Sequence, residues 1–325
     1  MNREVAHRTA AARYLMPLVV SLGLWLCAGI AVGLPIIHEP GLGVEVFATD
    51  TLLNGVNGLA FGADGLYASV SRHNPPVPKL VVRVASDGSV QQVASGFGSG
   101  GAISGICIDR DGKILVGDAY LYGGNELWEV TQSGQVSLVY SGLSSPTDLH
   151  LDANGDILVV ERVGIKGVSR VARDGSWRTV LLRADDYGWL GSPTGIELDS
   201  EGTILLAYRD YGSIYAVPLV GSPYLYAQVP SSNSQIALAL APDGSLFASN
   251  DERGEIYRVS PSGTWSLFAS GIDRPMFMAF DSDDRMYFAA QAEGTIYRVT
   301  AVPEPATLLL LALGGFGLLR RRRKT

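Results

Sequence analysis

Residues 192–206 read Ser192-Pro-Thr-Gly-Ile-Glu-Leu-Asp-Ser-Glu-Gly-Thr-Ile-Leu-Leu206: a short apolar strand, a tight turn on Glu201-Gly202 and a second apolar strand. The same text recurs along the chain. Turns of this first kind fall at Asp64-Gly65, Asp111-Gly112, Asn154-Gly155, Glu201-Gly202, Asp243-Gly244 and Asp283-Asp284, spaced by 47, 43, 47, 42 and 40 residues. A second series follows in step at Asp87-Gly88, Ser133-Gly134, Asp174-Gly175, Val220-Gly221 and Ser262-Gly263, each after a strand like Ile296-Tyr-Arg-Val299. Asp-Gly and Asn-Gly suit these places because they accept φ > 0 in two-residue hairpins. A period of roughly 43 with four strands and no helical stretch predicts propeller blades. Strands such as Ile114-Leu-Val and Ile157-Leu-Val-Val hardly alternate, as expected where both faces of a sheet are packed.

Six first, second and third strands can be counted, but only five complete fourth strands. The last blade runs out at Val302, before Pro303, and a matching strand stands at the front as Val44-Glu45-Val46-Phe47-Ala48. The expected fold is therefore all-β: a six-bladed β-propeller whose ring is closed by residues 44–48 completing the blade of residues 275–300. Closure removes two edges that would otherwise invite aggregation. The blade text resembles the NHL and gluconolactonase-like propellers over residues 44–302. That scaffold carries lactonases, lyases and pure binding modules, so the resemblance implies a fold more than an activity.

Both ends read as addresses. Arg3, Arg8 and Arg13 precede an apolar run from Leu15 to Leu26, and small residues allow cleavage after Ala31 or Gly33. This is the form of a secretory signal peptide, residues 1–33, with an uncleaved anchor as the competing reading. At the other end Pro303-Glu304-Pro305 is followed by fourteen uncharged residues, Ala306 to Leu319, and then Arg320-Arg-Arg-Arg-Lys324. A hydrophobic plug with a basic stop obeys the positive-inside rule, though at ~1.5 Å per residue it reaches only ~21 Å of a ~30 Å hydrocarbon core. Tripeptide, apolar helix and basic tail together resemble the PEP-CTERM sorting signal of Gram-negative bacteria. The resemblance implies recognition and processing by an exosortase, after signal peptidase, and a setting in the envelope or extracellular polysaccharide matrix. The expected domains are thus 1–33 signal peptide, 34–43 linker, 44–302 propeller and 303–325 sorting signal, with hydrophobic helices flanking the ring.

The chain of 325 residues is 47% hydrophobic and 18% charged, too apolar for disorder. Its net charge is −7; removing the +2 of residues 1–31 and the +5 of residues 306–325 leaves −14 on the body. Such a body repels phosphate backbones, so no nucleic-acid partner is expected. Of the two cysteines, Cys27 lies in the signal and Cys107 is left alone, which excludes an intrachain disulfide and a cysteine zinc site.

Strand order sorts the connections. The first and third connections of every blade, all short, share one side of the ring, which we call the turn side. The loops after second strands and the crossings between blades share the other, the loop side, where lengths vary and function is expected. Candidate ligand-binding residues there are Asn57, Asp118, Glu161, Trp189, Arg209 and Asp251, since carboxylates interleaved with aromatic rings suit carbohydrate or peptide recognition. The residues aligned at the channel mouth are Asn57, Ser104, Asp148, Thr194, Gln235 and Phe277. The gluconolactonase-like resemblance implies a divalent cation, Ca or Zn, held there by a Glu, an Asn and an Asp. Asn57 in Val56-Asn-Gly-Leu59 matches the Asn, Asp148 is the candidate Asp, and no Glu is supplied. His150 lies two residues beyond Asp148 on the same side of one strand, making the two a candidate acid–base pair. The favoured expectation is a monomeric binding or scaffold propeller whose ligand is a polysaccharide or an envelope protein. The alternative is a metal-dependent lactonase-like hydrolase or a related lyase with its site at the channel mouth.

Overall fold

A computed structural model describes residues 33–302 apart from 73–76, 99–100, 121–123 and 232. Six antiparallel sheets follow one another along the chain. Blade 1 is Val56–Gly62, Gly65–Arg72, Val77–Val84 and Val90–Ser95; blade 2 is Ala102–Ile108, Ile114–Tyr120, Gly124–Val130 and Val136–Ser141. Blade 3 is Pro146–Leu151, Ile157–Glu161, Gly167–Val171 and Arg178–Leu182; blade 4 is Pro193–Leu198, Ile204–Tyr208, Ser213–Val217 and Tyr224–Gln228. Blade 5 is Leu238–Leu240, Leu246–Asn250, Glu255–Val259 and Trp265–Ser270, and blade 6 begins Pro275–Phe280, Met286–Ala290, Thr295–Ala301. Each first strand packs against the first strands of the two neighbouring blades, and that of blade 6 packs against that of blade 1, so the ring is closed.

Leu42–Thr49 supplies the missing outer strand, paired with Thr295–Ala301 from Leu42 opposite Ala301 to Thr49 opposite Thr295. Glu45 takes the Arg298 guanidinium across the seam, and the Val302 N–H donates to the Gly41 carbonyl at 2.8 Å. Residues Ile36–Ile37, in the stretch expected as a linker, pair with Ser270 and Ala269 and make a fifth strand on blade 5. The start of the ring therefore spans two blades.

The non-alternating strands have the expected cause. The second strands Ile157–Glu161, Ile204–Tyr208, Leu246–Asn250 and Met286–Ala290 are buried along their whole length. They lie between packed blades: Leu205, Ala207, Ile214 and Ala216 of blade 4 meet Leu238, Leu246, Ala248 and Tyr257 of blade 5. Outer strands such as Arg178–Leu182 alternate, since one face meets water. Cys107 packs beside Leu115 and Leu149, and burial pushes its thiol pKa up, as for a small inert hydrophobe.

The first turns are built by an aspartate two or three residues ahead of the turn pair. Asp109 Oδ1 accepts the N–H groups of Asp111 and Lys113; Asp152, Asp199 and Asp281 do the same for Asn154 and Asp156, Glu201 and Thr203, and Asp283 and Arg285. The side chain mimics a backbone turn, which explains why Asp precedes the turn in four blades.

Among the described residues the helical turns are 3-10 turns at Thr51–Leu53 and Ala184–Tyr187, and no helix is long and apolar enough to cross a membrane. The hydrophobic segments expected to flank the ring, with Ala31 and Pro303, Glu304 and Pro305, lie outside the described residues, so the fold lends the flanking helices no support.

Candidate functional site

Counting back from the turn aspartates corrects the alignment at the channel. Asp148 stands four residues before Asp152, in the place of Gly105 before Asp109 and Gly195 before Asp199; Asn57, Ser104 and Thr194 stand one residue earlier than that place. First strands carry a bulge at this point, as between Pro146 and Asp148 and between Pro193 and Gly195. The glycines are required by the neighbouring blade. A Cβ on Gly105 would come 2.4 Å from Asp148 Cα, and one on Gly195 2.6 Å from the Ile236 carbonyl.

The residues beside these glycines stitch each blade to the next. Asn57 Nδ2 donates to the carbonyls of Ser71 (2.8 Å) and Ile103 (3.0 Å), and its Oδ1 accepts from Gln291 of blade 6. Thr194 donates its hydroxyl to the Ile236 carbonyl at 2.8 Å and accepts the Ile236 N–H at 3.1 Å. Asp148 uses both oxygens: Oδ1 accepts the Leu149 N–H at 2.8 Å and Oδ2 the Ile196 N–H of blade 4 at 2.9 Å. Burial drives the Asp148 pKa well up, against the pull of those two N–H groups.

Asn57 and Asp148 thus occupy different register positions, and their oxygens already hold protein donors. Among the described residues no group of three or more His, Cys, Asp or Glu could hold a metal ion. The residues present do not fit a resident divalent cation, which needs several free oxygen ligands.

His150 lies on the same side of its strand as Asp148, as alternation requires, but neither forms an acid–base pair at the mouth. The His150 Nε2 lies 3.4 Å from Glu197 Oε2 and its Nδ1 2.9 Å from the Leu151 carbonyl, in the seam between blades 3 and 4 on the turn side. Burial opposes the imidazolium charge; the Glu197 bond and charge, the Leu151 carbonyl and Asp148 outweigh it, and the pKa is raised.

The other expected carboxylates are structural as well. Asp118 is fully buried, with Lys79 Nζ at 2.6 Å from Oδ2, and burial still raises its pKa against the lysine's pull. Glu161, also fully buried, accepts from the Ser169 hydroxyl (2.5 Å), the Ser144 N–H (2.7 Å) and the Arg178 guanidinium. Asp251 Oδ1 accepts the Gln235 N–H at 2.7 Å, and its Oδ2 lies 3.3 Å from Arg274. Glu161, Asp251 and, in blade 4, Asp210 through Ser192 N–H (2.7 Å) do one job: a carboxylate at the end of the second strand holds the backbone entering the first.

Trp189 is half-buried, stacked on Tyr215 at 3.9 Å and on Tyr187 at 5.1 Å between ring centroids. The exposed aromatic residues of the loop side, among those described, are Tyr187, 47% exposed, beside the Gly188 cap at φ 64°, and Tyr211, 52% exposed. Arg209 donates from Nη2 to the Asn233 carbonyl at 2.7 Å, and its own carbonyl accepts the Ser231 hydroxyl at 2.6 Å.

What the loop side leaves over are mostly groups able to donate, beside one acceptor, Asp118 Oδ1 in blade 2. Buried side-chain atoms without a hydrogen-bond partner include Ser145 Oγ, Thr147 Oγ1, Arg162 Nε, Arg209 Nε, Ser234 Oγ and Gln235 Nε2, all at the starts of first strands or the ends of second strands in blades 3, 4 and 5. Arg162 and Arg209 hold equivalent places, their N–H groups donating to the carbonyls of Ser145 (3.1 Å) and Ser192 (3.0 Å). The sequence signal for them was an Arg directly after the second strand, in Glu161-Arg162 and Tyr208-Arg209.

Open cavities lie elsewhere. One of about 630 Å³ between blades 2 and 3 is lined by Asp109, Glu129, Arg173 and Trp177, and one of about 300 Å³ between blades 5 and 6 by Phe247, Phe280 and Arg258. Both open on the turn side. In the lining of the first, Arg173 lies 2.5 Å from Asp109 and 2.6 Å from Glu129 and ties blade 3 to blade 2.

Residues 301–324 match the PEP-CTERM protein-sorting motif. The chain carries an exosortase-type sorting signal. It is accordingly an exported, envelope-associated protein. No curated protein sequence matches the chain. Among solved structures, a gluconolactonase from Xanthomonas campestris is 16% identical, with a TM-score of 0.65 over 82% of this chain and 95% of that one. Virginiamycin B lyase from Staphylococcus aureus is 16% identical at a TM-score of 0.57, covering 80% and 100%. An auxiliary nutrient binding protein from Bacteroides thetaiotaomicron is 12% identical at 0.64, covering 80% and 76%. At these identities the likeness is one of fold: a six-bladed propeller.

Proposed function

We propose that this chain is a binding or scaffold propeller that an exosortase processes, anchors transiently and delivers to the envelope or polysaccharide matrix of a Gram-negative bacterium. Residues 34–302 form the working body, acting as a monomer. Its ligand is a polysaccharide or an envelope protein, met on the loop side. One observation carries the reading: the carboxylates and the histidine that hydrolysis or elimination would require are engaged in hydrogen bonds within and between blades, while exposed tyrosines and unpaired donors remain. Asp148, Glu161, Asp118 and Asp251 all fall in the first group. A lactonase-like reading draws support from the fold alone, and the donor set at Asn57 and Asp148 does not suit its metal.

The test uses purified full-length protein in detergent. Retention on extracted matrix polysaccharide or envelope protein, with melting indifferent to chelator, is the expected result. Lactone hydrolysis abolished by Asn57→Ala or Asp148→Asn, or a large drop in Tm with chelator, would favour the enzyme.

A further inference from the structure

Around the channel mouth the charges do not cancel evenly. Among the described residues, Asp148 is held by two backbone N–H groups, while Asp118, Glu161 and Asp251 each have their own cation (Lys79, Arg178 and Arg274). Arg162 and Arg209 have none: among the described residues no carboxylate lies within ion-pair distance of either guanidinium. Both are half-buried, and each keeps a buried Nε–H without an acceptor.

They do not stand alone. The Ser145 and Thr147 hydroxyls of blade 3, 2% and 3% exposed, flank the start of the first strand to which Arg162 is bonded. Ser234, fully buried, and Gln235 follow Asn233, whose carbonyl holds Arg209. Their polar atoms also lack partners. Unsatisfied buried donors are rare because each costs about 1–3 kcal/mol, more when charged. Two guanidinium Nε–H groups, an amide N–H and three hydroxyls left without partners at the loop-side ends of three consecutive blades suit a ligand rich in acceptors and carrying negative charge. Two guanidiniums favour planar carboxylates, which they bind bidentately.

We infer that the mouth across blades 3, 4 and 5 binds the carboxylate of an acidic saccharide. The inference rests on the binding reading above and sharpens it. A saccharide is favoured over an acidic peptide because the crossing into blade 4 and the loop after its second strand carry the exposed residues Tyr187 and Tyr211, on which a pyranose can stack while its carboxylate is held. It also reverses the chemistry expected at this mouth, from cation to anion. The body's negative charge does not prevent this, because it acts over a screened range while the guanidiniums act in contact.

The experiment is isothermal titration of full-length protein in detergent with oligogalacturonate, its fully methyl-esterified form, and poly-glutamate. The wild type should bind oligogalacturonate, lose about tenfold or more in affinity with Arg162→Gln or Arg209→Gln, and lose detectable binding with both, with Tm unchanged. The ester should bind at least tenfold more weakly than the acid. Equal affinity for acid and ester, or for wild type and double variant, overturns the inference while leaving a neutral-glycan binder standing. Tighter binding of poly-glutamate than of the saccharide overturns the sugar assignment. No binding to acidic probes by a protein still retained on matrix extract also overturns it; no retention at all removes the parent reading instead.

Discussion

Gly105 and Gly195 sit where the first strands of adjacent blades come closest, and neither has the positive φ that would demand glycine for backbone reasons. Their requirement is purely spatial. Gly105→Ala should destabilise by about 1–3 kcal/mol in urea, because the atom to be displaced is the Asp148 backbone rather than a flexible side-chain tip. A cost near zero would mean that the blades are not in contact there. Glu161 offers the complementary case. With the carboxylate fully buried and bonded to Ser144, Ser169 and Arg178, Glu161→Ala should cost about 3–5 kcal/mol by leaving Arg178 without its partner. A surface ligand residue would lose less than 0.5 kcal/mol. His150 supplies a pH-dependent test. Its folded pKa lies above its ordinary 6.5, so its pairing with Glu197 stabilises fully below about pH 6.5 and is lost as pH rises through the raised value. His150→Gln should therefore cost more at about pH 5.5 than at about pH 9, measured by urea unfolding. An equal cost at both would show that the ring is not charged in the folded state.

At the scale of elements, the seam strand has the largest predicted effect. Leu42–Thr49 pairs along the whole of Thr295–Ala301, and the Arg298 guanidinium, 5.3 Å from the Phe47 ring, clamps it. Deleting residues 40–50 should abolish cooperative unfolding; a stable, monodisperse deletion product would contradict closure by this strand. That strand was legible because its apolar text matches other outer strands, and the turns were legible because Asp-Gly chemistry is local. The bulges were not. Nothing in the Pro146–Asp148 text announces one, whereas the one-place offset of Asp148 from Asn57 can be counted back from the turns. The fate of Asp118, Glu161 and Asp251 was hidden too, since their partners lie 8 to 39 residues away in sequence. Strand order placed the carboxylates on the loop side of the ring without revealing that they were already occupied. Ile36–Ile37 is too short to carry a pattern of its own.

For the whole molecule, the account joins an exported, sorted chain to a sealed propeller that meets its ligand on one side only. The sorting motif begins at residue 301, in the last strand of the ring, so the body is delivered with almost no tether between fold and signal. Hydrogen–deuterium exchange of the full-length protein, with and without oligogalacturonate, tests this placement most directly. The account predicts slowed exchange in residues 142–147, 160–166 and 230–236, with the turn-side segments 109–113 and 172–177 unchanged. Protection confined to the turn side, or none at a concentration that saturates binding, would contradict it.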